Sequence, residues 1–216
     1  MATLLRDWSY RYPWFYDAIA RLAALTVGGE ARFRQLALEG LEITEATHIL
    51  DVCCGCGQTT RFLVERSPHV VGLDASPRSI QRAQINVPSA TFVEAWAEAM
   101  PLADHQFDLV HTSVALHEMQ LDSLQQIIAE VYRVLKPGGV FTLVDFHRPY
   151  NPLLWPGLTT FLWVFETETA WQLLQLDLPD MLKQQGFEVD ASALLGQQLY
   201  AGGSLQVVRG RKPDPG

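Results

Sequence analysis

The chain has 216 residues, 48% of them hydrophobic, and a formal net charge of −8. That length suffices for one α/β domain with a substantial core. Three lysines (Lys136, Lys183, Lys212) in an acidic chain argue against a nucleic-acid partner, which requires a basic face.

Residues 1–26 crowd together Trp8, Tyr10, Tyr12, Trp14, Phe15 and Tyr16, and Pro13 can open a helix from Trp14 to about Leu25. Such a segment is either a lid over a ligand or a cap whose aromatics pack on a sheet edge. After Gly28-Gly29 a helix is expected over Glu30–Leu41, with Phe33, Leu36 and Ala37 on one face. Strand one follows at 47–52, a helix at 58–66, strand two at 69–73 and a helix at 77–86 with Ser76 as N-cap. Strands three and four are expected at 91–94 and 107–112. Asp122 or Ser123 then caps an amphipathic helix reaching Lys136, which carries Leu124, Ile127, Ile128, Val131 and Leu135 on one face. Pro137-Gly138-Gly139 stops it, and strand five runs 140–144. A helix over 173–185, strands at 187–190 and 205–209, and a frayed tail from Arg209 complete the chain. No repeat, linker or low-complexity tract interrupts it. The apolar run 153–165 is too short and broken to span a membrane. It can be a core helix, a lid over an apolar substrate, or a surface that touches lipid.

The centre of the chain is 47–60, THILDVCCGCGQTT. A buried strand runs into a turn holding Gly55 and Gly57, and the turn opens into a helix. That unit carries an adenine nucleoside cofactor in open α/β sheets, because backbone must approach the ligand with no Cβ in the way. Asp51 ends the strand. Asp74 ends the next, about 17 residues after Gly57, near the separation suited to a carboxylate that holds a ribose diol. All three cysteines, Cys53, Cys54 and Cys56, lie in this turn. A zinc site needs a second ligand pair, so small turn residues are the reading favoured over a metal or redox centre, and no metal is expected. Without a secretory segment the compartment is expected to be reducing and cytoplasmic.

DVCCGCG followed by GLDASP resembles the first two motifs of class I S-adenosylmethionine (SAM) methyltransferases. FVEAWAEAMPLADHQFDLV resembles their third block, and LKPGGVFTLVDF the approach to and course of their fifth strand. Tyr16-Asp17 with LAALTVGGEARFRQLAL, DFHRPYNPLLWPGLTTFLW, and LPDMLKQQGFEVD resemble segments of the ubiquinone/menaquinone C-methyltransferases within that class. Where those enzymes have Gly-Leu-Arg-Asn after strand four, this chain has Val114-Ala115-Leu116-His117-Glu118. The resemblance implies a doubly wound, Rossmann-like α/β fold with seven strands in the order 3-2-1-4-5-7-6, mostly parallel with an antiparallel last strand. It implies one methyltransferase domain over 1–216: a helical cap at 1–44, a cofactor core at 45–146, and a substrate lid with the terminal strands at 147–216. It also implies SAM as cofactor, with Gly55, Gly57 and Cys53 lining the turn and Asp51 at the methionyl amino group. Asp74 is placed on the ribose, Ala75 and Ser76 by the adenine, and Trp96, Ala97 and Glu98 in the third block.

Methyl transfer from a sulfonium needs alignment in a dry pocket and a way to remove the acceptor's proton, if it has one. Ligands of open sheets sit at the carboxyl ends of strands, which selects His117 and Glu118 after strand four and Asp145, His147 and Arg148 after strand five. Imidazole titrates near neutrality, so His117 is the first candidate for base or orienter and His147 the second. His48, His69, His105 and His111 are read as structural or surface residues. The leading expectation is a SAM-dependent methyltransferase of a small apolar acceptor, with C-methylation of a quinol-like ring, and hence quinone biosynthesis, as the best single case. The alternatives are O- or N-methylation of a soluble metabolite, and a SAM-binding module without catalysis. The partners expected are a small-molecule acceptor and a peripheral membrane contact.

Overall fold

The computed structural model describes residues 24–165, 167–189 and 195–214, so the aromatic cluster from Trp8 to Tyr16 lies outside the described residues. A single sheet runs β3-β2-β1-β4-β5-β7-β6, the expected order. Its strands are β1 (Ile49–Val52), β2 (Val70–Asp74), β3 (Thr91–Glu94), β4 (Phe107–Ser113), β5 (Leu135–Phe146), β6 (Gly196–Tyr200) and β7 (Leu205–Arg211). β3 to β5 pair in parallel across β2 and β1, and β7 runs antiparallel to both β5 and β6.

Alternation along the strands divides the core. Leu50 and Val52 of β1 face a large cluster with α4 (Leu121–Val134), α6 (Glu168–Leu173) and α7 (Leu178–Gln185), which contribute Leu124, Ile127, Leu173 and Leu182. Ile49 points to the other face, where Leu38 and Leu63 cover it. Strand β1 is wholly buried, as a central strand covered on both faces must be.

That second face carries a polar row. Asp51, His111, Thr142 and Arg209 lie opposite one another on β1, β4, β5 and β7. None is more than 2% exposed. Thr142 Oγ1 donates to the Ala37 carbonyl at 2.7 Å, and an Arg209 nitrogen to the Glu39 carbonyl at 2.6 Å. These side chains take carbonyls that a continuing helix would have satisfied itself. The expected helix over 30–41 is accordingly α1 (Glu30–Gln35) followed by one 3-10 turn, Leu36–Leu38.

Other elements differ from expectation for local reasons. The helix after the glycine turn is short, α2 (Thr60–Leu63), whereas α3 (Pro77–Asn86) has the expected bounds, with Ser76 accepting from the Ser79 amide. α4 starts at Leu121 with Gln120 at its N-cap, and no side chain caps it, so Asp122 and Ser123 lie inside the first turn. It ends at Val134, and Leu135 already pairs with Phe107. The helix expected over 173–185 begins only at Leu178, as α7, because Asp177 accepts from the Asp180 amide at 2.9 Å and Pro179 sits in a new first turn; α6 precedes it and ends at Leu173. The strand expected at 187–190 is a single bridge between Glu188 and Arg211; β6 lies further on, at the sheet edge. Phe187 is instead core, edge-on to Tyr132 at 5.0 Å. Nor is the tail frayed at its start: Lys212 is buried, and its ammonium donates to the Tyr132 and Leu135 carbonyls at 2.6 and 2.8 Å. The apolar run is helical as α5 (Trp155–Phe165) but is not a core helix, since Leu162 is buried and Trp163 is 70% exposed.

Candidate active site

The strand order reverses between β1 and β4, and in open α/β sheets the crevice there receives ligands. Both strands leave the sheet through a left-handed residue that is not glycine: Cys53 at φ 55° and Val114 at φ 52°. A β-branched residue in that region is a genuine outlier, held by its surroundings. Here the Val114 amide is fixed to the Val144 carbonyl at 2.8 Å, so the chain turns sharply and lays Leu116–Glu118 back over the strand ends as a 3-10 turn.

On the β1 side, Gly55 and Gly57 have φ of 55° and 82°. A Cβ at Gly57 would stand 3.0 Å from Val87 Cγ2, so the turn packs closely on the end of α3. The two acids differ. Asp51 is buried, with one oxygen on His111 Nδ1 at 2.8 Å and the other accepting from Thr60 Oγ1 at 2.6 Å. It locks the turn to β4 and to α2. Asp74 is half-buried, and its oxygens accept the Gly55 and Ser76 amides, each at 2.9 Å. A carboxylate oxygen has a second acceptor site, so Asp74 can also take a pair of hydroxyls. Ala75 lies beside it, half-buried, and Ala97 is buried in the large core cluster. Trp96 is 70% exposed, which leaves its ring free of the core. Burial first, then the carboxylates of Asp74, Asp51, Glu98 and Glu118, push the Cys53 thiol up to about 12. Burial likewise pushes Cys54 up. Neither thiol is poised as a nucleophile or metal ligand. Among the described residues no group of three or more His, Cys, Asp or Glu is placed to hold a metal ion. Four carboxylates around one glycine turn suit a cationic, hydroxyl-bearing ligand.

On the β4–β5 side, Asp145 is fully buried. One oxygen accepts the Leu116 and His117 amides at 2.8 and 3.2 Å; the other accepts the Phe146 amide at 2.8 Å and meets His117 Nδ1 at 2.8 Å. His117 is 1% exposed, and the Phe146 ring lies 4.6 Å from its own. Phe146 in turn meets Phe161 of α5 at 5.8 Å. The arrangement is a His–Asp pair under aromatic cover, with α5 as the outer wall. His147 faces elsewhere in its bonding: its Nδ1 lies 2.8 Å from the Gly203 carbonyl oxygen, which ties the end of β5 to the β6–β7 turn.

Two partnerships escape sequence reading. Asp145 stands 28 residues from His117, and Asp51 stands 60 from His111, so neither pair has a local pattern. Only the adjacency of β4 to both β1 and β5 creates them.

A family model described as a methyltransferase domain matches residues 49–139. A protein of Synechocystis sp. described as an uncharacterized methyltransferase is 57% identical over 211 residues, covering 98% of this chain and 97% of that one. A 2-phytyl-1,4-naphtoquinone methyltransferase of Nostoc punctiforme is 30% identical over 139 residues, 60% of each chain. Among solved structures, an S-adenosylmethionine-dependent methyltransferase of Mesorhizobium loti shares the fold with a TM-score of 0.62 at 19% identity, over 85% of this chain and 100% of that one.

Proposed function

Because the chain belongs to the class I, SAM-dependent methyltransferases, we propose that it methylates a ring carbon of a small apolar, quinol-like acceptor, with His117 taking the acceptor's proton. The observation that carries the reading is the buried His117–Asp145 pair covered by Phe146, on which Phe161 packs in turn. Phenyl rings around a base suit an aromatic acceptor, and the naphthoquinone relative supports the same class. A polar metabolite would leave its own polar groups unpartnered against those rings.

Bound SAM supplies a methyl group on a positively charged sulfur. The chain's own residues then do three things. Asp74 and the Gly55–Gly57 turn hold the cofactor's ribose and methionyl end, with Asp51 acting through Thr60 and His111 to keep the turn in place. Ala75, Trp96 and Glu98 border the adenine. Asp145 fixes the imidazole with Nδ1–H donating to its carboxylate, which makes Nε2 the basic atom and stabilises the imidazolium that forms. Once the ring carbon has bonded the methyl group, its carbon–hydrogen bond would break, the proton passing to Nε2 and the bonding pair returning to the ring to restore aromaticity. His147 ties the end of β5 to the β6–β7 turn and is the second histidine to test.

His117→Gln keeps size and hydrogen bonding but not basicity. Turnover of short-chain quinols is expected to fall ~10²–10⁴-fold with SAM affinity unchanged in calorimetry, and the acid limb of the pH–rate profile is expected to vanish. Unchanged turnover and profile would move the role to His147. Binding of SAM without product from any quinol would favour a non-catalytic module.

A further inference from the structure

We infer that the stretch from Arg148 to Trp163 is a bilayer-docking surface, a face that rests on the interfacial layer of a lipid membrane. Large apolar side chains are exposed here in one short stretch: Leu153 is 85% exposed, Tyr150 72% and Trp163 70%. Each of these costs hydration free energy in water, and together they mark a contact surface. The charge pattern selects lipid. The chain carries 24 acidic residues, yet none falls between Asp145 and Glu166. The one fixed charge in that interval, Arg148, is exposed, with its guanidinium 5.5 Å from the Trp155 ring centroid. A cation stacked on tryptophan beside tyrosine and leucine is complementary to phosphate headgroups above hydrocarbon. Arg148 meets phosphate, the tryptophans and Tyr150 sit at headgroup depth, and Leu153 reaches below. Among the described residues no helix is long and apolar enough to cross a membrane, so the contact is peripheral.

The same helix leads inward. Phe161 meets Phe146, which covers His117, while Trp163 two positions on is exposed. One helix therefore has a face toward the His–Asp pair and a face toward solvent. On the proposed reading of a quinol-like acceptor, an apolar tail would dissolve in the bilayer, and docking would bring its ring to α5.

Flotation with acceptor-free vesicles of phosphatidylcholine and phosphatidylglycerol tests the surface alone. The wild-type chain is expected to float. Leu153→Glu with Trp163→Glu is expected to lower its partition into vesicles ~10-fold or more while leaving SAM affinity intact, which shows that the variant folds. Arg148→Gln is expected to weaken binding mainly to the vesicles richer in phosphatidylglycerol. A wild-type chain that stays unbound, or a double variant that floats equally well, would overturn docking. A wild-type dimer in light scattering that the double variant dissolves, with no flotation, would show a face between two copies and overturn it too. Flotation without turnover of any quinol would leave docking standing and remove the proposed acceptor.

Discussion

At the scale of single residues, the cofactor turn shows how position decides what an acid or a thiol does. Asp51 and Asp74 both lie at strand ends, but buried Asp51 spends its oxygens on His111 and Thr60, whereas half-buried Asp74 accepts two backbone amides and keeps further acceptor capacity. Cys53 sits among four carboxylates with its thiol pushed up to about 12, well above the ordinary value of about 8.5. At pH 8 its thiolate fraction is on the order of 10⁻⁴, against about a quarter for an unperturbed cysteine. Iodoacetamide is thus expected to label Cys53 ~10³-fold more slowly in the native chain than in urea, as read by site-resolved mass spectrometry. Equal rates would mean that the turn is open and the carboxylates distant. The sign for stability follows: a folded value above the unfolded one favours the native state below about pH 8.5, and that contribution is lost as pH rises toward 12.

At the scale of elements, caps and side-chain claims on carbonyls set the boundaries. Asp177 caps α7 through the Asp180 amide, so Asp177→Ala is expected to cost ~1 kcal/mol, read as a lower urea midpoint at unchanged slope. No change would mean that the α6–α7 break is held by Pro179 alone. The parallel strands β1, β2 and β4 were readable because buried strands are near-continuous apolar runs and turns punctuate them. β6 was not, since Gly196-Gln197-Gln198-Leu199-Tyr200 lacks a strong apolar face and is specified by β7 beside it. The break after Leu36–Leu38 was hidden for a similar reason: Thr142 and Arg209, which end the helix, lie more than 100 residues away. The glycine turn, Asp74, His117 and Asp145 stood out singly as candidates, while the pairing of His117 with Asp145 depends on sheet order.

At the scale of the whole molecule, the C-terminal stretch closes the structure. Lys212 donates to carbonyls of α4 and β5, its own amide donates to the Gly139 carbonyl, and Gly138 returns an amide to it. Burial holds the ammonium below its ordinary range, so its bonds form in a partly dry setting. Lys212→Met keeps the stem and removes the donors. It is expected to lower unfolding free energy by ~1–3 kcal/mol with SAM affinity unchanged, measured by urea titration and calorimetry. An unchanged midpoint would make these residues an appendage.

The seam between β1 and β4 has a further consequence. On the proposed assignment, the glycine turn, Asp74 and Glu98 that would hold the donor hang from β1, β2 and β3, the His117–Asp145 pair hangs from β4 and β5, and beside the backbone ladder of β1 and β4 the buried His111–Asp51 bond crosses between them. Such a division makes the two halves separately evolvable. Acceptor preference can be reshaped by diversifying 114–121 and 147–165 while the donor grip is inherited intact, and His111 and Asp51 are the pair that such a library must leave alone.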